Sequence, residues 1–217
     1  MVHSGMRVFE VELQEVTDTA LRMLSLVREE AREARAALLE GDTEAALRCA
    51  AGDEQVDELQ RELENRCLTL IARHQPAASD LRFLGAVLFS LADIERIGDY
   101  AVHVARAGTE LAREPRLKKY LDMARILAVL DEMLEGTMHA LADGDVDAAY
   151  AARAMDEEID ELYDQIQREL LTYMMADPRT INRAATLLMV ARYLERCGDH
   201  IENVNEHIVF WLTGTRI

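Results

Sequence analysis

Glu95-Arg96-Ile97-Gly98-Asp99 is repeated as Glu195-Arg196-Cys197-Gly198-Asp199, 100 residues further along the chain. In each copy two acids stand four residues apart, one helical turn, within a stretch whose apolar spacing predicts a buried helix face. Working outward, the likeness continues. Glu40-Gly41-Asp42-Thr43-Glu44-Ala45-Ala46 answers to Asp143-Gly144-Asp145-Val146-Asp147-Ala148-Ala149, and Asp53-Glu54-Gln55-Val56-Asp57-Glu58-Leu59 to Asp156-Glu157-Glu158-Ile159-Asp160-Glu161-Leu162, both at an offset of 103. Pro76 answers to Pro178, and the offset has fallen to 100 by the ERxGD segments, a length difference that a surface turn tolerates. Order, spacing and residue type agree, so the chain reads as a tandem duplication.

Each copy reads as three helices, roughly 7–39, 43–73 and 78–110 in the first half and 117–142, 146–175 and 179–212 in the second. Gly41-Asp42 and Gly144-Asp145 each supply a glycine that ends one helix and an acid that starts the next. Pro76 and Pro178 break the second helix from the third. Along the third helix Leu81, Leu84, Leu88, Leu91, Glu95, Gly98, Val102 and Ala105 form one stripe, and along the sixth Leu187, Ala191, Leu194, Gly198 and Ile201 form another. The expected architecture is all-α, two tandem antiparallel three-helix bundles, one in residues 1–114 and one in 115–217. Glu114-Pro115-Arg116, the junction, is too short for a flexible tether, so the bundles should touch.

Composition narrows the function classes. Lysine and arginine total 24 against 41 aspartates and glutamates, a net charge of −17, which repels nucleic acid and anionic lipid and suits cations or the basic face of a protein. Cys49, Cys67 and Cys197 are odd in number and lack a CxxC spacing, as expected of buried thiols in a reducing cytoplasm. Met1–Glu12 shows no basic-then-apolar leader, and no run of 18 apolar residues spans a membrane.

Counting from the turns pairs the acids. Asp57 lies 19 residues before Pro76 and Glu95 lies 19 after it; Asp53 lies 23 before and Asp99 lies 23 after. In an antiparallel helix pair equal counts mean equal heights, about 28 to 35 Å from the turn at 1.5 Å per residue. Around Pro178, Asp160 and Glu195 stand 18 before and 17 after, and Asp156 and Asp199 stand 22 before and 21 after. Four carboxylates therefore converge in each half, Asp53, Asp57, Glu95 and Asp99 in one and Asp156, Asp160, Glu195 and Asp199 in the other. Unneutralised, they would repel and take up protons. All-oxygen ligands suit hard or borderline multivalent cations, and bridging carboxylates suit more than one ion per site.

Competing explanations exist for these residues. An acid pair at four-residue spacing in so acidic a chain is ordinarily a solvated face, and Arg96 and Arg196 are placed to pair with their neighbours. Gly98 and Gly198 each cost about 1 kcal/mol relative to alanine inside a helix; close helix packing and a direct role at the site both account for them. A carboxylate-bridged di-iron oxidase is the enzymatic alternative, but that class uses Glu-x-x-His, and none of the six histidines has a glutamate three positions before it. His103, His200 and His207 fall near the acids as neighbours rather than ligands. A purely structural scaffold is a third reading. No GxxxxGK[ST] or GxGxxG loop is present. Met174-Met175 and Phe210-Trp211-Leu212 read as core at helix ends.

Gln75-Pro76-Ala77-Ala78-Ser79-Asp80-Leu81-Arg82, followed by Asp93-Ile94-Glu95-Arg96-Ile97-Gly98-Asp99-Tyr100-Ala101, resembles the signature of the PhoU family of phosphate-specific transport system accessory proteins. The second half matches through Ala191-Arg192-Tyr193-Leu194-Glu195-Arg196-Cys197-Gly198-Asp199-His200, departing at Cys197 and at Asp177-Pro178-Arg179. The resemblance implies pseudo-twofold symmetry between the bundles and multinuclear iron or zinc clusters, with magnesium or manganese as further candidates, held by the same eight acids. It also implies a non-enzymatic, cytoplasmic negative regulator of the phosphate-starvation response. Such a protein contacts the sensor histidine kinase and the ATP-binding subunit of the phosphate transporter, and meets the membrane only through them. Both a monomer and a homodimer are compatible with two similar bundles.

Overall fold

A computed structural model describes the backbone of residues 2–217 and the side chains of residues 8–217. His3 and the start of the segment read for a leader fall outside the described side chains. Asp42 and Asp145 cap the helices that follow them: each side chain accepts from two backbone N–H groups, of Glu44 and Ala45 and of Asp147 and Ala148. Gly41 and Gly144 precede them at φ of 73° and 64°, the left-handed turn that reverses the chain. The first bundle is α1 (Val2–Glu40), α2 (Thr43–His74) and α3 (Ala78–Leu111). The second is α4 (Leu121–Asp143), α5 (Val146–Ala154) with α6 (Asp156–Ala176), and α7 (Ile181–Thr213). No strand occurs among the described residues, and none of their helices is long and apolar enough to cross a membrane.

The two tandem three-helix bundles are those the repeat predicts, with three local differences. The expected helix 146–175 is interrupted at Met155, where Met155 N–H bonds to Ala152 O and Glu158 N–H to Met155 O, both three residues back along the chain, as in a 3-10 turn. α4 begins at Leu121, not 117, and Lys118, ahead of it, pairs with Asp122 and Glu169. Pro178–Thr180 forms a 3-10 turn leading into α7, capped by Asp177, where the first half turns through left-handed Gln75.

Each bundle packs on itself, and the two meet through α3 against α7 and α1 against α4. Double contact widens the buried face of α3. Ile94, Ile97, Ala101 and Val104 are buried together with Leu84, Leu91 and Ala105, while Leu81 is 45% exposed, contrary to the expected stripe. The α7 stripe is buried as expected. Met175 is 86% exposed, because it lies on the outer side of the last turn of α6, whereas Met174 packs on the core. Trp211 packs against Phe83 in a tilted arrangement with ring centroids 4.9 Å apart, closing the core at the end of α7. The three cysteines are free and buried.

Polar ties cross between the halves. Arg28 on α1 donates to both oxygens of Asp131 on α4 at 2.8 Å, and Arg32 adds a second fork at 2.8 and 3.1 Å. The Arg28 guanidinium holds the Asp131 carboxyl well below the usual carboxylate range. Between α3 and α7, His200 Nδ1 lies 2.7 Å from Asp93 Oδ1, to which Asn203 also donates at 3.1 Å. Burial pushes the Asp93 carboxyl up, but hydrogen bonds from His200, His207 and Asn203 outweigh it and hold the group low. His200 also stacks on Tyr100, and His103 packs at a tilt against Tyr193, so these histidines belong to the seam between the bundles.

Candidate metal centres

The structure brings three of the four predicted acids of the second bundle within ligating reach of one another, whereas among the described residues no three acids of the first bundle come that close. In the second bundle Asp156, Asp160 and Asp199 each place one carboxylate oxygen within 4.8 Å of the others. The Glu195 carboxyl is pushed up by burial and then by the charges of Asp199 and Asp160, so it shares that field. In the first bundle burial raises the Asp53 carboxyl, followed by the charges of Asp99 and Asp57, while Glu95 is raised by burial, Asp99, Asp57 and Asp53. Those couplings put the acids of α2 and α3 within one another's field.

The quartets are less buried than the apolar context implied. Asp53, Asp57, Glu95, Asp99, Glu195 and Asp199 are half-buried and Asp160 is exposed; only Asp156 is buried, at 6%. The acids border the core rather than sit in it, so each site opens to solvent on the flank of its bundle. Arginines partly neutralise this rim from within the same helices. Arg96 lies 2.9 Å from Asp99, Arg196 lies 3.1 Å from Asp199, and Arg192 lies 3.0 Å from Glu195.

Two further acids join the sites. Glu30, on α1, is 3% exposed, and neither of its carboxylate oxygens has a hydrogen-bond partner. Burial pushes its carboxyl up to about 8, with Asp53, Asp99 and Asp57 adding to the shift. In the second bundle Glu202 lies within the field of Asp156, whose carboxyl is raised by burial, Asp160 and Glu202 to about 7. Glu202 is bridged by Arg153 at 2.8 Å. Asp156 Oδ1 and Glu195 Oε2 are buried without partners as well.

These carboxylates also account for the mid-helix glycines. A Cβ on Gly98 would lie 2.6 Å from Glu30 Oε2, and one on Gly52 would lie 2.7 Å from Glu30 Oε1. A Cβ on Gly198 would fall on Asp156 Oδ1. Both glycines pack closely against a neighbouring helix, and each leaves the space that a buried carboxylate fills.

Orphaned buried oxygens aimed into an all-carboxylate cluster fit a bound cation, which would give them the partners the protein does not. The donor set is hard oxygen with neither thiolate nor imidazole among the eight acids, a better match for magnesium, manganese or iron than for a structural zinc site.

Fold and sites together define an all-helical, twice-repeated carboxylate bundle. The PhoU domain family matches the chain twice, over residues 20–108 and 123–208. A phosphate-specific transport system accessory protein PhoU homolog of Deinococcus radiodurans is 48% identical over 207 residues, covering 95% of this chain and 97% of that one. The crystal structure of PhoU from Pseudomonas aeruginosa superimposes with a TM-score of 0.91 at 36% identity, covering 95% of this chain and all of that one. The phosphate transport system regulatory protein PhoU from Streptococcus pneumoniae gives 0.88 at 29% identity, covering 96% and 99%. The chain belongs to the PhoU family. Proteins of this family are named as accessory or regulatory proteins, not enzymes, and the oxidase alternative is thereby set aside.

Proposed function

We propose that this protein is a PhoU-type negative regulator of phosphate uptake, acting in the cytoplasm as an adaptor. It contacts the sensor histidine kinase that reports phosphate and the ATP-binding subunit of the phosphate transporter. The observation that carries this reading is the full-length similarity to relatives named as accessory proteins of the phosphate-specific transport system. Purified protein should lower sensor autophosphorylation in high phosphate; an unchanged kinase rate at stoichiometric excess would overturn the adaptor role.

Within that role the two acid clusters hold multivalent cations, Asp53, Asp57, Glu95 and Asp99 in the first bundle and Asp156, Asp160, Glu195 and Asp199 in the second. Support comes from the convergence of Asp156, Asp160 and Asp199 and from buried oxygens that lack partners. A bound cation would cancel the mutual repulsion of the acids and pin α2 to α3 and α6 to α7. The added methyl group of Gly198→Ala must displace the Asp156 carboxylate while leaving the first bundle untouched. The variant should lose roughly tenfold or more in Mn2+ affinity at one site and keep the other, by calorimetry. Equal loss at both sites, or at neither, would contradict the assignment.

A further inference from the structure

The two sites are related by the repeat, yet their buried orphan carboxylates come from different helices. In the second bundle Asp156, on α6, fills the space beneath Gly198. In the first bundle the space beneath Gly98 is filled by Glu30, from α1, a helix that contributes none of the eight acids. At the repeat offset of 103, Glu30 corresponds to Met133 and Gly52 to Met155, so both the acid and the glycine that admits it are peculiar to the first half. Met133 is fully buried as an ordinary core side chain. Glu30 lies on the same kind of apolar line, after Val27 and before Ala34, where an unpaired carboxylate is costly.

An open cleft of about 300 Å3 between α1 and α2 is lined by Glu30, Glu33, Cys49 and Gly52. Glu30 thus stands between this cleft and the acids of α2 and α3. Cys49, beside it, donates to the Glu30 backbone carbonyl at 3.4 Å and leaves the carboxylate free.

We propose that Glu30 is a fifth cation ligand of the first-bundle site, reaching from α1 through the gap left by Gly52 and Gly98, so that the two sites of this chain differ in affinity. The inference rests on the reading that the acid quartets bind cations. With Glu30, the first site offers five carboxylates from three helices, none of them bridged by an arginine from another helix. In the second site the fifth acid, Glu202, is already engaged by Arg153. A cation held there fastens α1 as well as α2 and α3.

The test uses Mn2+ as the probe, by calorimetry on full-length protein with Asp199→Ala removing the second site. Glu30→Gln in that background should weaken Mn2+ binding at least tenfold, and Glu30→Met, which copies residue 133, should do the same. Unchanged binding in both variants, with Asp99→Ala still abolishing it, overturns the fifth ligand and leaves the quartet reading intact. No Mn2+ binding by the unmodified chain overturns the quartet reading itself. Should both variants fail to fold, crystals of the unmodified chain grown with Mn2+ decide: a Glu30 oxygen within about 2.5 Å of the metal supports the assignment, and a separation beyond direct ligation overturns it.

Discussion

Glu30→Gln should stabilise the metal-stripped protein at pH 8 by on the order of 3 kcal/mol more than at pH 5. In the unfolded chain a glutamate releases its proton near 4.5, whereas in the folded protein Glu30 holds its proton until about 8. Between those values the unfolded state binds fewer protons than the folded one, so stability falls as pH rises. The contribution of protonated Glu30 is complete below about 4.5 and lost as pH climbs through 8. Glutamine keeps the shape without ionising, and the gap between variant and parent opens across that window. Urea melts in chelator at pH 5 and pH 8 measure it; a gap independent of pH would show that Glu30 ionises as freely folded as unfolded. Asp156, raised to about 7, works in the same direction, which is why the comparison is with the single variant and not with the parent's whole pH profile. In saturating Mn2+ the order should reverse, because the carboxylate that destabilises the empty bundle is the one that binds.

Gly108→Ala is the second large effect expected, and it concerns the scaffold. A Cβ there would lie 2.8 Å from the carbonyl carbon and oxygen of Ala37 and from the Leu38 Cα, all backbone of α1. Backbone cannot swing aside as the end of a side chain can, so α1 and α3 would have to separate where they pack most closely. Overpacking of this kind costs roughly 1–3 kcal/mol, and here helix separation puts the value at the upper end. Gly85→Ala, on the same helix, is the control. Its nearest neighbour would be Phe89 at 3.9 Å, ordinary contact, so it should be neutral or gain up to about 1 kcal/mol from helix propensity. Chemical denaturation of the two variants should separate them clearly; equal midpoints would mean that the α1–α3 crossing yields without cost.

Much of this was legible in the sequence because it depends on local chemistry repeated twice. The glycine-acid caps at Gly41-Asp42 and Gly144-Asp145 act within a few residues, and the turn counts around Pro76 and Pro178 fix heights without any knowledge of packing. The counts also single out Asp156, Asp160 and Asp199, which the structure brings together. Glu30 did not follow from the counts, although it stands at helical spacing between Val27 and Ala34. It occurs as a single acid in a run with Arg28, Glu29, Arg32, Glu33 and Arg35, where charges occupy most positions and one acid on the buried side looks like any other on the solvated side. What marks it is the pair of glycines on two other helices, Gly52 and Gly98, whose convergence depends on tertiary packing. The burial of α3 on two sides was hidden for the same reason: the contact of Ile94, Ile97 and Ala101 with the second bundle is a property of both repeats together. The break at Met155 has no local cue, since neither glycine nor proline stands there.

Anomalous diffraction from crystals grown with Mn2+ is the most direct test of the proposed cation sites. Peaks are expected at two places: one among Asp53, Asp57, Glu95 and Asp99 with Glu30 behind them, the other among Asp156, Asp160, Glu195 and Asp199. A map with no anomalous density at either quartet, from protein that is folded and Mn2+-replete, would contradict the assignment.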